Sequence, residues 1–382
     1  MKNIRNAPIL LILFCFLSIS IMVLSLAKKD VEFSRFENRT LEYLRHPTLE
    51  SVISGEWETF LETYCTDQII GRNSIIESNS RLMKALGKRQ INGITIGYDG
   101  TLMQASSNFP SPNTDLSKLT QDVLIPCKEA ASSYGGQLYY MNIFPRMVFF
   151  WDQFPYHEAG ENINDYLKAG SDSLSGLSSY GIYAVDTYPI ISSHNDEYLY
   201  FKTDHHYTLK GAYYSYLALL DSINEHNPDK APLTFPEWES MQAIRPGRQF
   251  WGSLVSQIGD TEFEGLDYLE YALPDDFPSD YERLESGEVS DMPLIRDDDI
   301  EEYGWFMNGD YGNTVIKTNR PELPNILIIG YSFSDALELL AVYNFNEMHS
   351  IDPRMFEGDI TQYIRDVKCD YVVIQGTLSI TE

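Results

Sequence analysis

Two short segments carry residue types that could perform acyl-transfer chemistry. The first is TDHHYT, residues 203–208, which places a carboxylate and an imidazole two residues apart. If this segment is extended, the side chains of Asp204 and His206 share one face and that of His205 points the other way. The carboxylate of Asp204 could then orient the His206 ring and fix its tautomer.

The second segment is GYSFSD, residues 330–335, which follows the apolar run NILIIG and precedes a helical pattern. A serine at a strand-to-helix turn lies near backbone N–H groups and the positive end of a helix dipole, which stabilise a developing oxyanion. Ser332 is therefore a candidate nucleophile. A serine hydroxyl needs a general base at neutral pH, and His206, oriented by Asp204, is the candidate.

Both segments also allow structural interpretations. Ser332 lies three residues before Asp335, which fits a helix N-terminal capping pattern, and Ser334 could cap the same helix. The two adjacent histidines could be structural or bind a metal, but no further ligand stands at metal-site spacing, so a metal is the weaker interpretation. We expect no metal and no cofactor. Spacing alone leaves the catalytic and structural interpretations open.

The elements that must position these residues follow an alternating pattern. Short apolar runs are separated by helical patterns, and unbroken apolar strands are typical of a parallel sheet that helices cover on both faces. We therefore predict a three-layer α/β domain with a parallel sheet. The predicted strands are 137–144, 181–185, 325–330 and 371–375, and the helices that follow three of them are 208–224, 334–343 and 359–367.

Two regions flank or interrupt this pattern. Residues 30–90 predict a helical neck, with helices at 49–64 and 74–86, and a hairpin over 91–102 turns at Asp99-Gly100 and opens the main domain, residues 91–382. Residues 256–302 carry seventeen acidic and two basic side chains. We expect a solvated, irregular acidic insertion there, and a surface for cations or a basic partner is the alternative.

The N-terminal residues predict attachment to a membrane. Residues 6–27 contain no charge and, at about 1.5 Å rise per residue, a helix over them reaches across the ~30 Å hydrocarbon layer. Lys2 and Arg5 before this run favour a cytoplasmic N-terminus. We expect residues 1–29 to be a single-pass signal anchor in the cell membrane, with the remainder extracellular. The alternative is a secretory signal cleaved after the Ser-Leu-Ala at 25–27.

The net charge limits the classes of molecule that the protein can bind, and the cysteine content limits its disulfides and metal sites. Twenty-eight basic against fifty-six acidic residues give a net charge of −28, which repels polyphosphate, so we expect no nucleic-acid binding. Cys65, Cys127 and Cys369 lie beyond the apolar segment with no metal-binding spacing. At most one disulfide can form among them.

Together, TDHHYT and IIGYSFSDAL resemble the DHHW proteins and the alginate O-acetyltransferase accessory proteins of the SGNH hydrolase-like superfamily. In these families an Asp-x-His motif precedes a Gly-x-Ser-[Phe/Tyr]-Ser motif. The resemblance extends over nearly the whole chain beyond the apolar segment. Further matching positions are FENR at 36–39, Asp67, Arg72, GYDG at 97–100, FWGSL at 250–254 and IDPR at 351–354.

The resemblance implies roles for individual residues. Ser332 corresponds to the nucleophile, His206 to the general base and Asp204 to the orienting carboxylate. Tyr207 stands where the family has Trp and keeps an aromatic wall. Tyr331 stands where Asp or Thr is usual, and its ring could narrow the acyl pocket or mark a lineage without turnover. The residues expected near the substrate are His205, Tyr207, Tyr331, Ser334 and Arg354.

The function that the resemblance implies is O-acetylation of an extracellular polysaccharide. The acyl group would come from a membrane-bound O-acyltransferase, and a sugar hydroxyl of the polysaccharide would accept it. An esterase that removes acetyl groups is one alternative, because the same triad serves both directions. A catalytically silent scaffold or polysaccharide-binding protein of the cell envelope is the other.

Overall fold

The computed structural model of the chain describes residues 7–34, 39–104, 116–153, 155, 163–245, 249–259, 263, 265, 267–296 and 303–376. The chain forms two compact units. One comprises Met1–Ile94 with Ser253–Glu264, and the other comprises Thr95–Gly252 with Gly265–Glu382.

The described helices and strands alternate along most of the chain. The helices are α1 (Ala7–Ala27), α2 (Leu49–Ser54), α3 (Glu56–Asp67), α4 (Arg72–Ala85), α5 (Ser117–Leu119), α6 (Ile125–Ser132), α7 (Met147–Phe150), α8 (Ile163–Gly176), α9 (Tyr188–Ser193), α10 (Leu209–His226), α11 (Ser253–Ile258), α12 (Ser334–Asn344) and α13 (Ile360–Val367). The strands are β1 (Phe33–Ser34), β2 (Arg39–Thr40), β3 (Gln90–Ile91), β4 (Ile94–Ile96), β5 (Leu102–Gln104), β6 (Gln137–Asn142), β7 (Tyr183–Asp186), β8 (Ala243–Ile244), β9 (Gln249–Phe250), β10 (Asp267–Tyr268), β11 (Tyr271–Ala272), β12 (Glu282–Glu285), β13 (Glu288–Val289), β14 (Asn313–Lys317), β15 (Ile326–Ile329), β16 (Glu347–Ile351) and β17 (Tyr371–Gly376).

The first unit contains the predicted helical neck. The helix predicted over 49–64 is broken into α2 and α3 at Gly55, whose φ of +82° is a left-handed conformation that ends α2. The helix predicted over 74–86 is α4. The carboxylate of Asp67, at the end of α3, is buried and receives two hydrogen bonds from Arg39, at 2.9 and 2.5 Å. This ion pair fixes the segment before α2 against α3.

In the described part of the chain, no helix combines the length and hydropathy that crossing a bilayer requires. The signal anchor predicted over residues 1–29 is therefore not confirmed.

The second unit is built on an eight-stranded sheet in the order β13-β12-β14-β16-β15-β17-β6-β7. The five strands from β16 to β7 are parallel, as predicted. The three strands from β13 to β14 are antiparallel, so the sheet is mixed and the prediction of a purely parallel sheet is wrong at this edge. A tight turn joins β12 to β13, a connection that only antiparallel neighbours permit.

Helices cover both faces of this sheet. The crossover β15-α12-β16 runs in one direction along the sheet and the crossover β16-α13-β17 returns in the other. Because such crossovers are right-handed, α12 and α13 lie on opposite faces. Helix α10 packs with α12, and α6 packs with α13. This arrangement gives the three layers predicted for the main domain.

Most predicted elements are present, and the predicted hairpin at 91–102 is confirmed. Strands β4 and β5 are neighbours, and the Gly97 N–H donates to the Thr101 carbonyl at 2.7 Å across the Asp99-Gly100 turn. The expectation of an irregular, solvated region at 256–302 is only partly correct. Its described residues include β10 to β13, and Arg283 on β12 is fully buried because carbonyls and a carboxylate surround its guanidinium.

The C-terminus of α12 depends on one cation. The Arg320 guanidinium donates hydrogen bonds to the carbonyls of Val342, Tyr343 and Phe345 at 2.6, 2.7 and 3.1 Å. A helix leaves its last carbonyls without intrahelical partners, and the negative end of its dipole favours a cation there. Arg320 therefore ends α12 and fixes the turn into β16.

We expect Arg320→Ala to lower the free energy of unfolding by about 2 kcal/mol, because it removes several charge-assisted hydrogen bonds. Urea denaturation of the two proteins measures the difference. Arg365→Ala, which changes an exposed arginine on α13, serves as the control and should change stability by less than ~0.5 kcal/mol. Equal effects of the two substitutions would contradict the capping role of Arg320.

Candidate active site

The turn between β15 and α12 presents Ser332 at the carboxyl edge of the sheet. All four residues of β15 are buried, and the Gly330 N–H that follows donates to the carbonyl of Ile351 at 3.0 Å. A Cβ at Gly330 would lie 2.9 Å from the Cβ of Ser334, so only glycine allows this close turn. The Ser334 N–H closes the turn on the Tyr331 carbonyl at 2.6 Å. Ser332, at the apex, remains partly exposed.

A second loop brings the TDHHYT segment to the same edge. Its two ends are paired, since Phe201 N–H donates to the His206 carbonyl at 3.1 Å and Thr208 N–H donates to the Leu199 carbonyl at 2.8 Å. The hydroxyl of Thr208 then caps α10 by accepting from Gly211 N–H. The loop is thereby held between the core of the unit and the first turn of α10.

A buried carboxylate fixes the beginning of this loop. Asp267, with no exposed surface, accepts hydrogen bonds from the backbone N–H groups of Lys202 and Thr203, both at 2.7 Å, and from the Thr203 hydroxyl at 2.5 Å. The hydroxyl of Tyr198 also donates to Asp267. The sequence does not indicate this role, since Asp267 is one of many acidic residues in 256–302 and no local pattern distinguishes it.

Asp204, His206 and Ser332 form one hydrogen-bonded chain. Asp204 Oδ1 lies 2.6 Å from His206 Nδ1, and His206 Nε2 lies 2.7 Å from Ser332 Oγ. Asp204 and His206 are 3% and 5% exposed. A carboxylate can only accept here, so the imidazole proton lies on Nδ1 and Nε2 accepts from the serine hydroxyl. The segment bends instead of extending, because Asp204 Oδ1 also accepts from the His206 N–H at 3.1 Å.

Two aromatic rings enclose the imidazole of His206. The ring of Tyr303 stacks on it with a centroid separation of 3.6 Å and an interplanar angle of 3°, and the ring of Phe333 lies 4.7 Å away at 50°. Tyr303 directly follows the acidic region and belongs to no motif, so the sequence does not single it out. His206 is 5% exposed, so these rings help to keep solvent from the imidazole.

Two of the residues predicted to contact substrate are buried inside the protein. Tyr207 is 1% exposed, and its hydroxyl donates to the Phe333 carbonyl and accepts from Gln375 Nε2 at 3.2 Å. Ser334 is 2% exposed, with its Oγ 2.6 Å from Glu338 Oε1 and 2.8 Å from the Tyr331 carbonyl. Both hydroxyls contact backbone carbonyls of residues 330–335, the turn between β15 and α12 that we call the serine turn. The capping interpretation of Ser332 is wrong, because its hydroxyl contacts His206 instead.

The other three predicted substrate contacts lie at the surface beside Ser332. The Tyr331 ring is 49% exposed, with the Arg354 guanidinium carbon 5.3 Å from its centroid. Arg354 pairs with Asp352 at 2.5 Å and with Asp310 at 2.7 Å. The His205 side chain is 46% exposed, with its ring 3.8 Å from that of His206. An aromatic face, a guanidinium and an imidazole therefore surround the mouth of the site.

Asp204, His205 and His206 also place three potential metal-ligand atoms within 4.8 Å of one another. Both nitrogens of His206 are engaged by Asp204 and Ser332, and Asp204 Oδ1 already accepts two hydrogen bonds. A metal would have to displace these contacts. The donor set therefore fits proton transfer better than metal binding.

A cluster of carboxyl groups lies behind the serine turn. Asp310, Asp335, Glu338 and Asp352 line one cavity. Burial raises the pKa of Glu338 to about 7, although hydrogen bonds from the Ser334 and Ser350 hydroxyls oppose the rise. Burial also raises the pKa of Asp335 well above its usual value, and the Glu338 and Asp310 carboxylates raise it further. Negative charge on Glu338 and on Asp335 therefore destabilises the folded state.

A carboxyl group whose pKa is higher in the folded state stabilises the fold at pH values below its unfolded-state pKa. This stability is lost as the pH increases from the unfolded-state pKa through the folded-state pKa. For Glu338 this interval runs from its ordinary 4.5 to about 7. In the wild-type protein, the free energy of unfolding should fall across this interval by up to about 1.4 kcal/mol per pH unit. We expect Glu338→Gln to remove this fall, because the amide does not titrate but keeps the acceptor for both serine hydroxyls. Denaturant titrations at several pH values measure it. The exposed Glu225→Gln is the control, and parallel curves for all three proteins would contradict the assignment.

Gly252 shapes the carboxylate end of the hydrogen-bonded chain. A Cβ at this position would lie 2.4 Å from both the Asp204 Cβ and the Thr203 carbonyl oxygen, and the Gly252 N–H donates to the Thr203 hydroxyl at 2.8 Å. The segment FWGSL, which contains Gly252, contributed to the sequence resemblance, but the reason for the glycine is visible only in the structure. No larger residue fits without displacing Asp204.

We therefore expect Gly252→Ala to lower stability by about 1–3 kcal/mol and to slow the reaction of Ser332 with phenylmethylsulfonyl fluoride by ~100-fold. Gly176→Ala is the matched control, since a Cβ at Gly176 meets no atom within 4 Å. Intact mass spectrometry follows the reaction. An unchanged rate in a folded Gly252→Ala protein would show that the position of Asp204 does not control Ser332.

Comparisons with known proteins identify a family segment and the fold. The DHHW protein family model matches residues 179–232, which contain the Asp204–His206 loop. A comparison with curated proteins gives no match.

Solved structures of two proteins share the fold with TM-scores above 0.5, and a third structure is less similar. A DHHW family protein from Eubacterium siraeum has a TM-score of 0.58 at 19% identity, covering 77% of this chain and 94% of that chain. Bacillus cereus PatB1 with a sulfonyl adduct has a TM-score of 0.58 at 18% identity, covering 75% and 94%. The O-acetyltransferase domain of Pseudomonas putida AlgJ has a TM-score of 0.47 at 12% identity, covering 76% and 93%. The predicted resemblance is confirmed: residues 179–232 of this chain carry a DHHW family segment, within the fold seen in the DHHW protein and PatB1 structures.

Proposed function

We propose that this protein is an O-acetyltransferase that modifies an extracellular or cell-envelope polysaccharide through Ser332, His206 and Asp204. The observation that carries the proposal is the unbroken hydrogen-bonded chain from Asp204 to Ser332, with contacts of 2.6 and 2.7 Å. A general base must reach its proton within hydrogen-bond distance, and His206 does so without rearrangement. The mouth of the site faces solvent, as a polymeric acceptor requires.

In the first half-reaction, Ser332 Oγ attacks the carbonyl carbon of an acetyl donor while His206 Nε2 takes the hydroxyl proton. Asp204 stabilises the imidazolium that results. Backbone N–H groups where the turn enters α12 stabilise the tetrahedral oxyanion. The bond from the acetyl carbon to the donor then breaks, the imidazolium protonates the leaving group, and an acetyl ester remains on Ser332.

In the second half-reaction, a sugar hydroxyl attacks the acetyl ester on Ser332. His206 takes the proton of that hydroxyl, the bond between the acetyl carbon and Ser332 Oγ breaks, and His206 returns its proton to the serine. The acceptor sugar approaches the exposed face formed by Tyr331 and His205, with Arg354 beside it. Aromatic and hydrogen-bonding groups of this kind suit a sugar ring. The Tyr331 ring lies at the surface, so the second half-reaction has room to occur.

The location of the protein and the source of the acetyl group are part of the same proposal. Residues 1–29 anchor the chain in the cell membrane as a single pass, and the domain that contains Ser332 is extracellular. A membrane-bound O-acyltransferase supplies the acetyl group across the bilayer. The proposal of an anchor rests on the absence of charged residues between Arg5 and Lys28.

A carbohydrate esterase is the second candidate. Ser332 is partly exposed, so water can reach an acetyl ester formed on it. The same three residues catalyse hydrolysis if water attacks the acetyl ester on Ser332 faster than a sugar hydroxyl does. A catalytically silent scaffold would require the hydrogen-bonded chain to be present without turnover.

The first test is covalent chemistry at Ser332. With the full-length protein and 4-nitrophenyl acetate, we expect a burst of one equivalent of nitrophenol and a mass increase of one acetyl group. Ser332→Ala should abolish both, whereas Ser175→Ala, which changes an exposed serine on α8, should retain them. The absence of a burst and of an acetyl adduct in the wild-type protein would favour the silent scaffold.

The second test distinguishes the two enzymes. Acetylated oligosaccharide, detected by mass spectrometry after adding donor and acceptor together, supports the transferase. Release of free acetate at an unchanged rate with and without acceptor supports the esterase. The ratio of the two products in the wild-type protein decides between them, since Ser332→Ala removes both activities.

A further inference from the structure

Tyr303 makes an unusually close and parallel contact with the candidate base. Its ring lies 3.6 Å from the His206 ring, centroid to centroid, at an interplanar angle of 3°. Tyr303 is 9% exposed and His206 is 5% exposed. The two rings therefore overlap in a dry environment, where such a contact restricts the tilt of the imidazole. The His206 ring is also held at its edge by Asp204 and Ser332, and the rings of His205 and Phe333 contact it at tilted angles of 37° and 50°.

The protein holds the Tyr303 ring in this orientation from several sides. The rings of Phe201 and Phe306 each meet it edge to face, with centroids 6.0 Å away. The Tyr303 carbonyl accepts from the Trp305 N–H at 2.6 Å. The ring of Tyr303 therefore lies between those of Phe201 and His206 in one aromatic cluster. Phe201 is also joined to His206 through the backbone, because its N–H donates to the His206 carbonyl.

The buried Arg283 braces the loop that carries Tyr303. Its guanidinium donates to the Met307 carbonyl at 2.6 Å and to the Pro293 carbonyl at 3.0 Å. The Met307 N–H donates to the Leu294 carbonyl at 2.7 Å. These bonds join the loop to β12, within the region that the sequence presented only as acidic. The described part of that region therefore supports the site.

The hydroxyl of Tyr303 does not explain its position. Within the described residues, Tyr303 Oη is buried and has no hydrogen-bond partner. A buried hydroxyl without a partner contributes no stabilising hydrogen bond, so its removal should be tolerated. The ring, and not the hydroxyl, makes the contact with His206.

We propose that Tyr303 is a positioning residue: its ring holds the His206 imidazole in the plane in which Nε2 meets Ser332 Oγ. The stacked face also favours the imidazolium that forms when His206 takes a proton, through a cation–π interaction. The catalytic consequence rests on the proposed function, whereas the fixed ring orientation is a property of the resting protein. A misplacement of a reacting group by about 1 Å can cost ~100-fold in rate.

The test compares Tyr303→Phe, which keeps the ring, with Tyr303→Met, which fills the space without one. The readout is the rate at which phenylmethylsulfonyl fluoride labels Ser332, followed by intact mass. We expect Tyr303→Phe to remain within ~2-fold of wild type and Tyr303→Met to be ~10- to 100-fold slower. Tyr213→Met, a change at another buried tyrosine, is the control for a general loss of packing and should label at the wild-type rate. A wild-type rate in folded Tyr303→Met, or equal losses in Tyr303→Phe and Tyr303→Met, would overturn the proposal.

A second measurement needs neither the reaction of Ser332 with a sulfonyl fluoride nor a folded variant. In the wild-type protein, a parallel ring at this distance should shift the His206 ring-proton resonances upfield, and ¹⁵N spectra should show one Nδ1-protonated tautomer. Unshifted ring protons or averaged nitrogen signals would overturn the positioning role. If wild-type Ser332 is not labelled at all, the proposed function fails, and the His206 spectra still decide the orientation of the ring.

Discussion

The site depends on one contact between two residues that are 126 positions apart, the hydrogen bond between His206 Nε2 and Ser332 Oγ. Neither residue can create it locally, since each lies on a different loop. The parallel arrangement of β15, β17 and β6 brings the carboxyl ends of these strands to one edge. Ligand and catalytic sites of open α/β sheets are found at this edge, where the connecting loops converge.

Polar groups of the protein interior hold the two loops in place. Asp267 fixes Thr203, and the Tyr207 hydroxyl links the end of the histidine loop to the Phe333 carbonyl in the serine turn. Gly252 lets the chain approach Asp204 more closely than any other residue would. The hydrogen bonds between Asp267 and Thr203 are buried, so losing one partner would leave the other unsatisfied at a cost of about 1–3 kcal/mol. The loops therefore have little freedom to move apart.

The sequence predicted the parts of this arrangement that have a local pattern. Runs such as NILIIG are continuous and apolar, so β15 and the helix after it were predictable, as was the proximity of Asp204 and His206. Strand β16, Glu347–Ile351, is short and carries polar side chains, so its periodicity does not distinguish it from a loop. The antiparallel edge was missed for the same reason.

Tyr303, Gly252 and Asp267 belong to a different class. Their roles arise from contacts between distant segments, and no spacing or propensity encodes such contacts. The charge of residues 256–302 indicated solvation, yet Asp267 and Arg283 are buried because each has a complete set of hydrogen-bonding partners. Composition describes the average residue of a segment, and these two residues are its exceptions.

The central claim is that Asp204, His206 and Ser332 act as one unit. A double-mutant cycle with Asp204→Asn and His206→Ala tests it most directly, with the labelling rate of Ser332 by a sulfonyl fluoride as the readout. Residues that act as a unit have strongly non-additive effects, so the double variant should react no more slowly than His206→Ala alone. Rate losses that multiply would show that the two side chains act independently, and this account of the site would be wrong.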